Sequence, residues 1–94
     1  MRLSENYLIK QIEDDYILIP VGQNVIDKSG ILNMNKSSGF LYKCLESGLG
    51  YQELLKKFYE EYNADEAEKA LLKYDLDEFL FNARRLGIIE DEVT

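Results

Sequence analysis

The pattern of apolar and polar positions changes period once along this chain, at about Asn35. Before that point it alternates. Tyr7 to Ile12 sets Leu8 and Ile12 on one face and Tyr7 and Ile9 on the other, which is the period of a strand. Glu13-Asp14-Asp15 is a polar break of hairpin-turn length. Tyr16 to Val21, YILIPV, is nearly all apolar and β-rich, as a strand covered on both faces would be. Pro20 cannot donate to a ladder, so it belongs near that strand's end or on an edge. A long connection follows, in which Val25 and Ile26 form a brief extended piece, and it leads into a third strand, Ile31 to Met34. Three antiparallel strands are expected in the first half.

After Asn35 the period becomes helical. Asn35 is placed to cap, because its side-chain oxygen can accept from a backbone N–H one turn in. Phe40, Leu41, Cys44, Leu45 and Gly48 then recur on one face, and Gly48 supplies a left-handed stop. Tyr51, Leu54, Leu55, Phe58 and Tyr62 mark a second helix opening at Gly50 or Tyr51 and stopping near Asn63. Asp65 with Glu68 three residues on forms a capping box for the last helix, Asp65 to Leu86, which Gly87 ends. In that helix Leu72, Leu76, Phe79, Ala83 and Leu86 make the core-facing stripe, and Ile88-Ile89 tuck back under the core. The order βββααα reads as one small α+β domain over residues 1–94, of winged helix-turn-helix type: a three-stranded antiparallel sheet followed by three helices.

Composition narrows the function classes. The chain has 94 residues, enough for one modest core, and 46 % are hydrophobic, so it should fold. A formal charge of −7 argues against a nucleic-acid backbone or an anionic membrane surface as partner. No apolar run approaches a membrane span. Met1 to Asn6 lacks the apolar core of a signal peptide, and a single cysteine cannot make an internal disulfide. The chain therefore reads as cytoplasmic.

Little in it can carry chemistry. There is no histidine, which removes the commonest neutral-pH acid–base group and metal ligand. Cys44 lies on the apolar face of the first helix, where a small core residue is expected rather than a nucleophile. The acids are scattered along helix surfaces without calcium-loop spacing. No catalytic residue, metal site or cofactor is expected.

A winged helix suggests DNA, yet the third helix carries Asp65, Glu66, Glu68, Asp75, Asp77 and Glu78 against Lys69, Lys73, Arg84 and Arg85. Phosphate would repel it. A transcriptional regulator is thus the alternative reading, not the leading one. The edge strand Ile31 to Met34 offers a different use: its unpaired backbone groups can accept an extended peptide as a fourth strand. A loop or a dimer partner sealing that edge is the competing reading.

Met34-Asn35-Lys36-Ser37-Ser38-Gly39-Phe40-Leu41-Tyr42-Lys43-Cys44-Leu45, with Gly48 after it, resembles the LN-x-T-G/A…(I/L)-W-x-x-L…G signature of the PqqD-like family. Leu54, the turn Glu61 to Asp65, Asp75 to Leu80 and Leu86-Gly87-Ile88-Ile89 extend the resemblance over about Tyr7 to Glu90. Tyr42 stands where the family often has Trp, Ala83 where it often has Leu, and Phe81 where a charged residue is usual. The resemblance implies a non-catalytic adaptor. It would bind the leader segment of a ribosomally made precursor peptide and present it to a modifying enzyme, often a radical-SAM protein. In the family the leader docks as a strand beside the third helix. Carried onto this sequence, Ile31, Leu32, Asn33 and Met34 would supply the strand contacts. Lys73, Asp77, Leu80, Phe81 and Arg84 would line the groove, Lys73 and Arg84 meeting acidic leader side chains. An ordinary solvated helix face with i,i+4 pairs is the competing account of Lys73, Asp77 and Arg84.

Overall fold

A computed structural model describes residues 1–21 and 32–91. Val25, Ile26 and Ile31 lie outside the described residues, as do the side chains of Leu32 and Asn33. The elements in order are β1 (Arg2–Leu3), β2 (Tyr7–Ile12), β3 (Asp15–Pro20), β4 (Leu32–Met34), α1 (Lys36–Cys44) with a 3-10 turn at Leu45–Ser47, α2 (Tyr51–Glu61), α3 (Glu66–Arg85) and β5 (Ile89–Glu90). This is a mixed α+β domain with three helices and antiparallel strands.

Strands β2, β3 and β4 form an antiparallel sheet in that order. The β2–β3 hairpin closes from Ile12 opposite Asp15 to Tyr7 opposite Pro20, so Pro20 ends its strand. Because side chains alternate between faces, Tyr7 and Ile9 of β2 and Leu18 and Pro20 of β3 share the inner face, and all four are buried. The outer face differs from expectation. Leu8 and Ile12 are exposed and Ile17 and Ile19 only half-buried, so β3 is not covered on both faces by the described residues.

A second sheet was not anticipated. Arg2 pairs with Glu90 and Leu3 with Ile89, joining β1 to β5 across the length of the chain. The Ser4 N–H donates to Ile88 O at 2.8 Å and the Leu49 N–H to Met1 O at 2.8 Å, which fastens this ribbon to the helices. Ile88 and Ile89 are buried there, so the turn after Gly87 does return the chain to the core.

The helix boundaries follow their capping residues. Asn35 accepts from the Ser38 N–H at 2.8 Å, and Asp65 and Glu68 make the reciprocal capping box. Gly48 (φ 83°), Asn63 (φ 46°) and Gly87 (φ 75°) take the left-handed conformations expected of the stops. Gly39 has a separate role. A Cβ there would lie 2.2 Å from Cγ of Tyr16, so only a glycine lets α1 rest directly on β3.

The core is continuous, with Leu18, Leu41, Leu45, Leu54, Phe58 and Leu76 essentially inaccessible. Leu80 and Ala83 are also buried, whereas Leu72 and Phe79 are partly exposed and Leu86 is 51 % exposed. The buried line of α3 is therefore Leu76, Leu80, Ala83 rather than the longer stripe ending at Leu86. At 100° per residue this turns the helix by about 45° relative to the expected stripe. Leu80 moves from groove wall to core, and the flank that faces the sheet end changes with it.

Candidate functional site

Strand β4 has one neighbour among the described residues. Met34 pairs with Tyr16, Asn33 with Ile17 and Leu32 with Leu18, all on β3, and no described strand lies on the other side. In an antiparallel strand alternate residues aim their N–H and C=O outward, so this edge presents a row of main-chain donors and acceptors. The other edge strand, β2, leads only into the hairpin. β4 runs straight into α1 through Asn35, and a groove opens there.

That groove, about 330 Å³, lies between the first turn of α1 and one flank of α3. Asn35, Ser37 and Ser38 line one side, and Asp75, Glu78 and Asn82 the other. Leu41 and Phe58, both buried, and half-buried Phe79 form an apolar floor. Phe79 is held by an edge-to-face contact with Tyr42, ring centroids 4.7 Å apart. Burial, with a smaller contribution from Tyr7, pushes the Tyr42 phenol up to about 12. Tyr42 thus stays neutral at any ordinary pH and serves as packing, in the position where the resemblance leads one to expect tryptophan.

The sequence reading placed Lys73, Asp77, Leu80, Phe81 and Arg84 beside the edge strand. Instead, Asp77, Leu80, Phe81 and Arg84 line a separate concavity of about 620 Å³ with Tyr51 of α2 and Arg85. The cause is the rotation of α3, which sets these residues toward Tyr51 and buries Leu80. Asp75, Glu78, Phe79 and Asn82 went unselected, although their spacing of i, i+3, i+4 and i+7 marks one face.

The charges on the Tyr51 side are already satisfied within the chain. Lys73 Nζ lies 3.3 Å from Asp77 Oδ2 and 5.8 Å from the centre of the Tyr51 ring, and the Tyr51 hydroxyl donates to Asp77 Oδ1. The Tyr51 hydrogen bond first, and Lys73 second, hold the Asp77 carboxyl below the usual carboxylate range. Asp77 in turn raises the Lys73 ammonium. Arg84 pairs with Asp91, Nη2 to Oδ1 at 3.1 Å and Nε to Oδ2 at 3.1 Å. The i,i+4 pairing that competed with the groove reading is what Lys73 and Asp77 show.

Nothing in the site suggests bond-making chemistry. Cys44 is half-buried at the margin of the core, and burial pushes its thiol up, partly offset by Lys57. Among the described residues no three His, Cys, Asp or Glu side chains gather as a metal site requires, and no helix is long and apolar enough to cross a membrane.

No protein-family model and no curated protein matches this chain. A solved structure does share its fold: TbiB1 in complex with the TbiA(beta) leader peptide. The two superpose with a TM-score of 0.74 over 100 % of each chain, at 19 % sequence identity. At that identity the likeness is one of fold.

Proposed function

We propose that this chain is a non-catalytic peptide adaptor. It binds the leader segment of a ribosomally made precursor by strand addition to β4 and presents it to a modifying enzyme, a radical-SAM protein in the branch that the sequence resembles. The observation that carries the reading is that β4 has no strand on its outer edge among the described residues and leads through Asn35 into a groove, in a fold that matches a leader-peptide complex from end to end. Main-chain hydrogen bonds to Leu32–Met34 would supply much of the affinity, and the floor at Leu41, Phe58 and Phe79 a seat for one apolar leader side chain. Ile31, next to the described edge, would extend the ladder by one residue. The α3 wall in this proposal is Asp75, Glu78, Phe79 and Asn82.

The test uses the short precursor reading frame in the gene's neighbourhood, synthesised as separate leader and core halves. Calorimetric titration should show the leader half binding and the core half not. A proline placed in the docking strand removes a donor and should weaken binding by about 1 kcal/mol or more, roughly fivefold. Equal binding of both halves, or indifference to proline throughout the leader, contradicts strand addition.

A further inference from the structure

The two walls of the β4 groove differ in charge from everything the sequence pattern led one to expect. Asp75 and Glu78 both line it, and neither forms an ion pair or a side-chain hydrogen bond among the described residues. Neighbouring acids behave otherwise: Asp77 is held by Lys73 and Tyr51, and Glu66 by Lys69 at 3.3 Å. Among the described residues no lysine or arginine lines the groove, and the Arg85 guanidinium donates from Nη2 to the groove residue Asn82 at 3.4 Å. The N-terminus of α1 also opens on the groove, and the Asn35 side chain caps it. Lys36, the nearest cation in sequence, shares a different cavity with Asp14 and Glu61. Two unpaired carboxylates beside an apolar floor, on a chain of net charge −7, form a surface complementary to cations.

Resting on the strand-addition reading above, we infer that the segment accepted at β4 is a basic one: an extended peptide that seats an apolar side chain on Phe79 and sets lysine or arginine against Asp75 and Glu78. This reverses the charge that Lys73 and Arg84 implied, because both of those are already neutralised by Asp77 and Asp91. The carboxylates select rather than anchor. Exposed pairs are individually weak, so the discrimination between a basic and an acidic strand should be about tenfold at low salt and should shrink as salt screens it.

A library of random 15-residue peptides, panned against the full chain at low ionic strength, reads this directly. Enriched peptides should carry a several-fold excess of Lys and Arg over Asp and Glu. The charge-removing pair Asp75→Asn with Glu78→Gln, both isosteric and at exposed positions, should abolish the excess, while Arg84→Gln on the other flank should leave it. The amide shifts that an enriched peptide induces then separate the two claims. Binders without a basic bias that still shift Leu32–Met34 overturn the charge inference and leave strand addition standing. Binders that shift other residues, or no binders at all, overturn strand addition and the charge inference with it.

Discussion

The two flanks of α3 carry similar residue types and are built for different ends. On the Tyr51 side, Lys73, Asp77, Arg84 and Asp91 are closed into internal pairs, and the concavity beside them is walled by apolar Leu80 and Phe81. On the other side, Asp75 and Glu78 have no partner among the described residues, and the groove they line includes Asn35, which follows β4. A helix face whose charges are paired with one another gains little by meeting a ligand, since each new contact must first break an old one. A face with unpaired charges beside main-chain donors gains from every contact. Open chemistry, not the size of the hollow, separates a binding surface from a merely concave one.

The sharpest division along α3 itself is burial, and two adjacent residues test it. Leu80→Ala should cost about 2–5 kcal/mol in urea unfolding, since Leu80 is 3 % exposed, whereas Phe81→Ala, at 67 % exposed, should change stability by less than about 0.5 kcal/mol. Comparable effects at the two positions would mean that the core line of α3 has been misplaced.

Next in size is the seat of α1, which carries one wall of the groove. Gly39→Ala drives a methyl group into the root of the Tyr16 side chain, where no flexible end can move aside, and should destabilise by about 1–3 kcal/mol. A neutral or stabilising result would show that α1 does not rest on β3 through that glycine.

Beneath the open flank, the Tyr42–Phe79 contact gives a pH signature. A phenol raised by burial binds its proton more tightly folded than unfolded. The stability it contributes is therefore fully present below the ordinary value of 10.0 and is lost as pH rises toward about 12. Ultraviolet titration should show a tyrosine ionising near pH 12, above the ordinary value of 10.0, together with loss of structure. Near Asp77 the dependence has the other sign: its depressed carboxyl contributes above the ordinary carboxylate value and loses that contribution as pH falls through the lower folded value. Carbon-detected NMR of the carboxyls should find Asp77 titrating below the ordinary aspartate value, and an ordinary or raised value would undo the pairing on that flank.

Smallest are the surface charges themselves. Asp75→Asn with Glu78→Gln should leave stability within about 0.5 kcal/mol of the parent, because neither carboxylate has a partner among the described residues to lose. Arg84→Gln should cost at most about 1 kcal/mol through the Asp91 pair. Thermal melts of the two variants make the comparison, and a larger loss from the acidic pair would place those carboxylates in internal contacts.

What the sequence disclosed follows from the range of the forces involved. Caps and stops are local chemistry, so Asn35, the Asp65–Glu68 box and the left-handed residues Gly48, Asn63 and Gly87 could be read directly. The period-2 alternation of Tyr7–Ile12 separated the two faces of β2, and the structure shows that Tyr7 and Ile9 are the side that meets the core. Strand β1 was illegible: two residues long, it exists only because Ile89 and Glu90 arrive from the far end of the chain. The orientation of α3 failed for a subtler reason. Leu72, Leu76, Phe79, Leu80, Ala83 and Leu86 offer two overlapping apolar stripes, and only packing against the other elements chooses between them. The edge position of the third strand was therefore legible and the buried line of α3 was not.

The central claim is that a leader peptide adds to β4 and touches the Asp75–Asn82 flank of α3. Its most direct test is an amide-resolved NMR titration of the full chain with that leader. The account predicts large shifts at Leu32–Met34, Asn35–Ser38, Asp75, Glu78, Phe79 and Asn82, with Lys73, Asp77 and Arg84 little changed. Shifts concentrated at Tyr51, Asp77, Phe81 and Arg84, with Leu32–Met34 unmoved, would contradict it.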